Sequence, residues 1–331
     1  DKVRANIEAI RIVRKLAEDG RDATPEEKTA LARYVGWGGL KPAFNNTYYN
    51  AYEREQTEGT LPPQTWAAIR KTPLGEEGYE LYKQMRELLS QDEIESIEDS
   101  TTSAFFTPIR LCRSIHKALA SAGLNGGRLL ETSAGIGNFI GTGDYANPRW
   151  TAVELDKVTG QILKALYPKA NVRIQGFEDV IMPDNFMDAA ISNVPFGTNH
   201  PFDPNYKKYN FLVHDFFFAK AIDKIHPGGV AAFITATGTL DKRDKSLIRY
   251  LSEHGGKIVG AVRIPNGFFA KNAGTDVATD VVFIQKVEGK ADNSVFLETA
   301  EYKGCPISKY FLDHPELCMG KMVPGTNQFS Q

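Results

Sequence analysis

Two short segments of the chain combine residue types that could hold and activate an amino group. The first is the tetrapeptide Asn193-Val194-Pro195-Phe196, which follows a run of apolar residues. The side-chain oxygen of Asn193 and the main-chain carbonyl of Pro195 could each accept an N–H from an amino group conjugated to a ring, and so direct its lone pair at an electrophile. Phe196 offers a flat face on which a base could stack. We therefore predict Asn193, Pro195 and Phe196 to be catalytic; the alternative is a turn with an Asn cap and a buried Phe.

The second segment is the glycine-containing stretch ETSAGIGNF, residues 131–139, directly after a short apolar run. Glycines at a strand-to-helix turn let the backbone approach a ligand at the carboxyl end of a sheet. The dinucleotide fingerprint is incomplete because Ile140 stands at its third glycine position, which weakens an NAD interpretation. Glu154 follows Gly135 by 19 residues and ends the next apolar run, where a carboxylate can accept hydrogen bonds from ribose hydroxyls. The loop and the acid together predict an adenosine-type ligand; the alternative is an ordinary tight turn and a surface acid.

The composition bounds the function classes. The chain has 331 residues, of which 42% are hydrophobic and 24% charged, and this excludes a disordered or fibrous protein. The net charge is −2, so the chain as a whole lacks the basic surface that nucleic-acid binding needs. Basic groups must then be concentrated on one face or supplied by another domain. Three widely spaced cysteines indicate neither a disulfide framework nor a zinc site, and with no signal peptide or apolar span we expect a cytoplasmic protein.

The first 100 residues are predicted to be helical. An apolar stripe at helical spacing ends at Gly20, and Thr24-Pro25 has the residue types of a helix start. A further helix is predicted over residues 79–89, whereas the acidic residues 91–99 are predicted to be a linker.

From residue 101 short apolar runs alternate with helical patterns, which is typical of a parallel sheet with crossover helices. The predicted strands are residues 128–131, 150–155, 172–175, 187–192, 230–236, 257–263 and 280–286. The predicted helices are residues 108–122, 157–167, 209–225 and 242–253. We therefore predict an α/β fold with a seven-stranded, mostly parallel, doubly wound Rossmann-like sheet and a helical N-terminal extension.

These motifs resemble those of class I S-adenosylmethionine-dependent methyltransferases, and specifically N6-adenine DNA methyltransferases with the γ-type motif order. The matching segments are FFTP (105–108), ETSAGIGNF (131–139), VELD (153–156), GFED (176–179), SNVPFG (192–197), VRIPNGFF (262–269) and TDVVFI (279–284). The match covers about residues 105–286. It departs from the family pattern at Thr132 and Val194, each of which replaces a proline.

The resemblance implies S-adenosylmethionine as the cofactor and DNA as the partner, with adenine as a flipped or single-stranded base. The implied cofactor-binding residues are Phe106, Thr107, Pro108, Glu131, Ser133, Gly135, Gly137, Asn138, Phe139, Glu154, Leu155, Glu178, Asp179 and Asn193. No metal is implied. The implied domains are a helical extension (1–100), a methyltransferase domain (101–290) and a C-terminal extension (291–331). Methylation of RNA or of protein glutamine, and a non-catalytic DNA-binding scaffold, remain alternatives.

The segment YVGWGGL, residues 34–40, resembles the start of large methylase–helicase proteins of phages and conjugative elements. This resemblance implies that the chain is one domain of a larger modification or anti-restriction protein. The γ group carries a target-recognition domain after its final hairpin, but about 45 residues follow Lys286. Target reading is therefore expected from the N-terminal helices, further domains or a partner. The basic residues expected on the catalytic side, for phosphate contact or as solvated surface, are Lys207, Lys208, Lys242, Arg243 and Lys245. The adjacent His214 and Asp215 are not expected to form a catalytic dyad.

Overall fold

The computed structural model describes residues 1–101, 106–269 and 278–323, apart from the side chains of residues 99 and 100. The helices of these ranges are α1 (Lys2–Asp19), α2 (Pro25–Leu31), α3 (Asn46–Glu58), α4 (Pro63–Ile69), α5 (Gly75–Leu88), α6 (Gln91–Ser100), α7 (Ile109–Ser121), α8 (Asn138–Thr142), α9 (Lys157–Leu166), α10 (Val213–Lys224), α11 (Gly238–Asp241), α12 (Ser246–Glu253) and α13 (Lys309–Asp313). The strands are β1 (Gly126–Glu131), β2 (Ala146–Glu154), β3 (Asn171–Ile174), β4 (Met187–Asn193), β5 (Ile225–Ala236), β6 (Gly256–Ile264), β7 (Thr279–Lys286), β8 (Thr299–Tyr302) and β9 (Cys305–Ser308). The chain divides into two compact units, Asp1–Phe106 with Asp156–Pro168, and Thr107–Leu155 with Lys169–Gln331.

The first unit contains α1 to α6 and α9. Helix α1 buries its apolar stripe and ends, as predicted, at Gly20, whose φ of 63° suits a residue without Cβ. Helix α2 begins with the predicted cap, a capping box between Thr24 and Glu27. The Asn6 side chain donates to the Gly36 carbonyl (2.7 Å) and accepts from the Val35 N–H (3.0 Å), which fastens the YVGWGGL segment to α1.

The predicted linker over residues 91–99 is wrong, because α6 occupies this segment. Ser90 and Glu93 form a capping box at its start, and Ile94 and Ile97 are buried. Nη2 of Arg14 in α1 contacts both carboxylate oxygens of Glu93, at 2.7 and 2.8 Å. Two buried isoleucines and one long-range ion pair are sufficient to order this acidic segment as a helix.

The second unit is built on the seven-stranded sheet, and each strand lies where the sequence predicts it. The strand order is β3-β2-β1-β4-β5-β7-β6. Strands β1 to β5 pair in parallel, whereas β7 is antiparallel to both β5 and β6. The chain leaves β1 toward β2 and later returns to the other side of β1 with β4, so the strand order reverses there. In an open parallel sheet, ligands bind at the carboxyl ends of the strands at such a point.

The segment after β7 contributes to the same hydrophobic core, which contains Phe296, Ile307 and Phe311. It also covers the outer edge of β6. There the Ile258 N–H donates to Oδ1 of Asn293 (2.8 Å), and the Ala261 N–H donates to the Tyr310 hydroxyl (3.2 Å). The edge strand is thus hydrogen-bonded by side chains and, at Arg263, by the main chain of Met319 (2.9 Å). Among the described residues, no helix is both long enough and apolar enough to span a lipid bilayer.

Candidate cofactor and catalytic site

The glycine loop after β1 is fastened to the end of β2. Gly135 and Gly137 have φ values of 55° and 79°, a left-handed conformation that favours glycine. The Ala134 N–H donates to the Val153 carbonyl (2.8 Å), and the Gly135 N–H donates to Oε2 of Glu154 (2.8 Å). The carboxylate predicted to bind ribose therefore also fixes the loop that the sequence places beside the same ligand.

Glu131, at the end of β1, is a buried carboxyl group with 2% of its surface exposed. Burial raises its pKa well above the usual value, and the negative charge of Glu154 raises it further. No residue in the described ranges forms a hydrogen bond with its Oε2. A buried polar atom without a partner is costly. A polar ligand group at this loop would supply the missing hydrogen bond. The buried Oε2 of Glu131 is therefore the observation that indicates that a cofactor fits this site.

The predicted catalytic tetrapeptide begins at the last residue of β4. Ser133 of the glycine loop donates its hydroxyl to the Asn193 carbonyl (2.6 Å) and lies 3.0 Å from Oγ of Ser192. The loop after β1 and the end of β4 are therefore joined. Asn193, Pro195 and Phe196 are half-buried. Val194 is in the hydrophobic core, so the residue that departs from the family pattern points away from solvent.

The Thr107-Pro108 segment contacts the helix that follows the glycine loop. Nδ2 of Asn138 donates to the Thr107 carbonyl at 2.9 Å. His116 of α7 also holds this helix, with Nε2 at 2.9 Å from the Phe139 carbonyl and Nδ1 at 2.7 Å from the Tyr145 hydroxyl. Burial lowers the pKa of His116. Sequence reasoning missed this contact, because a histidine on the apolar side of a helix predicts only packing.

The third part of the site follows β3, where Phe177–Asp179 forms a turn of 3₁₀ helix. Glu178 is half-buried and Asp179 is exposed. Leu155, after β2, is 74% exposed, which is unusual for a leucine and leaves an apolar surface for a ligand. The main-chain carbonyl of Glu178 accepts a hydrogen bond from Lys220 of α10 (2.8 Å). Sequence reasoning missed Lys220, because it stands among phenylalanines and alanines that predict only a buried face.

Phe106 belongs to the first unit, whereas the other predicted cofactor residues belong to the second. Its ring lies against Gly36, where an added Cβ would come within 3.0 Å of its Cζ. The Tyr34 ring is also close, with 6.1 Å between the two centroids. Phe105 lies outside the described residues.

The basic residues expected on the catalytic side are mostly engaged elsewhere. The Lys242 ammonium pairs with the Asp215 carboxylate, and Lys245 is buried with its Nζ donating to the Leu240 carbonyl (2.6 Å). Lys207 and Lys208 are exposed, but the neighbouring Tyr206 hydroxyl donates to Asp223 (2.7 Å). Asp223 precedes the start of β5 and thus lies near the amino ends of the strands. Lys207 and Lys208 are thus displaced toward the amino ends, contrary to expectation. Lys242, Arg243 and Lys245 follow the carboxyl end of β5, as expected, but Arg243 is the exposed one of these three.

His214 is buried beside this ion pair. Its Nε2 lies 3.6 Å from Oδ1 of Asp215, and neither ring nitrogen forms a hydrogen bond with any residue in the described part of the chain. Burial and the nearby charge of Lys242 lower its pKa to about 3. His214 is therefore neutral at physiological pH and does not form a hydrogen-bonded dyad with Asp215.

The strand order with an antiparallel β7, the glycine loop after β1 and the acid after β2 define the fold of class I S-adenosylmethionine-dependent methyltransferases. No family model matches the chain. Over 215 residues, or 63% of its length, the chain is 28% identical to the "Defense against restriction protein B" of Escherichia phage P1. It spans 9% of that relative's length.

Two of the solved structures that are similar to the chain belong to type I restriction systems. The methyltransferase subunit of a type I restriction-modification system from Streptococcus thermophilus is 14% identical, with a TM-score of 0.49, over 94% of this chain and 84% of that one. The M protein of the type I restriction enzyme EcoKI is 13% identical, with a TM-score of 0.43, over 94% of this chain and 75% of that one. Because both scores are modest, the fold assignment rests on the strand order and not on these similarities.

Proposed function

We propose that this chain transfers a methyl group from S-adenosylmethionine to the N6 amino group of adenine in DNA, and that residues 101–290 carry the activity. The observation that carries the proposal is the junction of the two motifs. Ser133 of the glycine loop donates to the main-chain carbonyl of Asn193, the first residue of the Asn-Val-Pro-Phe tetrapeptide. A ligand in the glycine loop and an amino group at the tetrapeptide would therefore lie side by side, as group transfer requires.

The cofactor would be held by the residues around the glycine loop. Glu154 would accept hydrogen bonds from the ribose hydroxyls, and the loop from Ser133 to Phe139 would lie beneath the methionine part. Glu178 and Asp179 would lie near the adenine. When bound, S-adenosylmethionine supplies an electrophilic methyl group whose bond to sulfur breaks as the bond to nitrogen forms. Oε2 of buried Glu131, which has no hydrogen-bond partner among the described residues, supports a polar ligand at this place.

The tetrapeptide would act on the target base. The Asn193 side-chain oxygen and the Pro195 carbonyl would each accept one N–H of the adenine amino group, which turns its lone pair toward the methyl group. The same two oxygens stabilise the positive charge that develops on this nitrogen. The nitrogen then releases a proton to water, so no strong base is required. Phe196 would stack on the base, an interaction worth about 1–3 kcal/mol.

The adenine must leave the duplex stack to reach these groups. Extruding a paired base costs a few kcal/mol, and less when the base is mismatched or already single-stranded. The similarity to the phage P1 protein, of which this chain spans 9%, supports a role as one domain of a larger modification or anti-restriction protein. Target recognition would then come from further domains or a partner.

The test is methyl transfer from tritiated S-adenosylmethionine to DNA, RNA and protein, followed by nucleoside analysis of the labelled product. Label in DNA that is recovered as N6-methyladenine is the expected result, and the Asn193→Ala variant should give none. Label recovered in RNA or in protein glutamine would show that DNA is not the substrate and would identify the substrate class. Binding of the cofactor without transfer to any substrate would contradict the proposed activity and favour a non-catalytic module.

A further inference from the structure

Lys220 of α10 is a buried cation that contacts two separate segments of the sheet unit. Its Nζ donates to Oδ2 of Asp203 and to the main-chain carbonyl of Glu178, each at 2.8 Å. The side chains of Lys220 and Asp203 are each 4% exposed. Asp203 belongs to the loop of residues 197–212, which directly follows the catalytic tetrapeptide. Glu178 belongs to the turn that the proposed function puts beside the cofactor's adenine.

Two aromatic rings also surround the ammonium group of Lys220. The rings of Phe177 and Phe216 lie 5.2 and 5.7 Å from Nζ, within the range of cation–π attraction. The Asn205 N–H donates to the other oxygen of Asp203 (2.9 Å). A buried ion pair usually stabilises a fold no better than apolar residues of the same volume. An ion pair on a helix with ten buried residues therefore calls for a reason other than stability.

We propose that Lys220 is a positioning residue that fixes the Phe177–Asp179 turn against the loop after the catalytic tetrapeptide, and so sets how selectively the site binds the adenine of the cofactor. This inference rests on the proposed function. The hydrogen bond to the Glu178 carbonyl fixes the peptide plane from which the Glu178 and Asp179 side chains project. Without the ammonium group, that carbonyl loses its donor and the Asp203 carboxylate is left buried and unpaired. The turn must then shift, while the glycine loop and Glu154 keep their own hydrogen bonds.

The experiment compares two ligands that differ only in the base, S-adenosylhomocysteine and S-inosylhomocysteine, by calorimetry on the full 331-residue chain. For Lys220→Met we expect the affinity for the adenine compound to fall about 10-fold or more, because a hydrogen bond from a charged donor is lost. The affinity for the inosine compound should change by less than about 3-fold, since its ribose and homocysteine parts bind elsewhere. The preference for adenine should therefore largely disappear.

The matched control is Lys224→Met on the same helix. Lys224 pairs with Asp184 (2.5 Å), and no contact joins it to the Phe177–Asp179 turn among the described residues. This variant should keep both affinities. If Lys220→Met does not fold, the double variant Lys220→Met with Asp203→Asn removes both charges, leaves no unpaired ion, supplies no donor to the Glu178 carbonyl, and should lose the same preference.

The outcomes separate this inference from the proposed function. If Lys220→Met binds both ligands more weakly by the same factor, Lys220 has a general structural role and the inference is overturned. It is also overturned if the preference for the adenine compound is unchanged in Lys220→Met and in the double variant. If the wild-type chain methylates DNA but these results are found, the inference alone fails. If the wild-type chain does not bind S-adenosylhomocysteine at all, the proposed function fails first.

Discussion

Replacement of Glu154 tests the placement of the cofactor, because this carboxylate has two roles that can be separated. Its Oε2 accepts the Gly135 N–H at 2.8 Å and so holds the glycine loop, and we propose that it also accepts the ribose hydroxyls. In Glu154→Ala both roles are lost. In Glu154→Gln an amide oxygen can still accept the Gly135 N–H, but the charge that strengthens the ribose hydrogen bonds is gone.

The magnitudes follow from these contacts. Hydrogen bonds to a charged group contribute about 1.5–3 kcal/mol, so the alanine variant should bind cofactor about 10- to 100-fold more weakly. Its free energy of unfolding should fall by about 1–3 kcal/mol, the usual cost of leaving a buried N–H of a loop without its acceptor. The glutamine variant should lose affinity while its stability stays within about 1 kcal/mol of the wild type.

Calorimetry with S-adenosylhomocysteine gives the affinities, and urea unfolding monitored by circular dichroism gives the stabilities. Glu301→Ala, at the exposed residue of the otherwise half-buried strand β8, is the control for loss of one surface carboxylate and should change neither quantity. Unchanged cofactor affinity in Glu154→Ala would refute the placement of the ribose. Equal loss of stability in the alanine and glutamine variants would refute the role of Glu154 in holding the loop.

Three further predictions concern the tetrapeptide, a buried histidine and DNA binding. Asn193→Ala should abolish methyl transfer and leave cofactor affinity within about 3-fold, whereas Phe196→Ala should weaken both DNA binding and rate by removing the stacking face; full activity of the Asn193 variant in the tritium assay would contradict the mechanism. The pKa of His214 is lowered to about 3, so folding favours its neutral form, and the stability it contributes is present above the unfolded pKa of about 6.5 and lost as the pH falls toward 3. Between pH 7 and 4 the free energy of unfolding in urea should therefore fall by up to about 1.4 kcal/mol per pH unit, and this loss should be absent in His214→Leu. If the free energies of the two proteins instead depend on pH in parallel, His214 does not titrate in this way. Because Lys242 and Lys245 are engaged internally, we expect this chain to bind duplex DNA weakly. Contact of Arg243 and one further basic residue with phosphates would give a slope no steeper than about −2 for the logarithm of the binding constant against that of the salt concentration. A slope near −5, measured by fluorescence anisotropy, would contradict this and reveal a larger basic surface.

The strands of the sheet could be predicted from the sequence because their pattern is local. Buried parallel strands are short continuous apolar runs, and β4 and β5 are such runs between polar segments. The motifs were equally local, since the glycine loop and the tetrapeptide each lie within a few residues of a strand end. The predicted fold class is confirmed by the strand order of the seven-stranded sheet.

What could not be predicted depends on partners far away in the chain. Segment 91–99 contains few large apolar residues, and its ordering requires Arg14, whose Nη2 contacts Glu93 from 79 residues away. Lys242 has the composition of a surface residue, but its partner Asp215 is 27 residues earlier on another helix. Lys220 binds the Glu178 carbonyl, a main-chain group that every residue carries, so no side-chain pattern could have indicated it.

The cover over the edge of β6 has a consequence for dividing the protein into pieces. A chain cut after residue 290, the expected end of the methyltransferase domain, would lose Asn293, Tyr310 and the Met319 N–H that donates to the Arg263 carbonyl (2.9 Å). The main-chain groups of a nine-residue strand would then face water next to Val259, which is already 57% exposed. Such an open apolar edge is a template for pairing with another copy. We therefore expect a catalytic piece that ends at residue 290 to self-associate through β6, and a boundary beyond Met319 to prevent this.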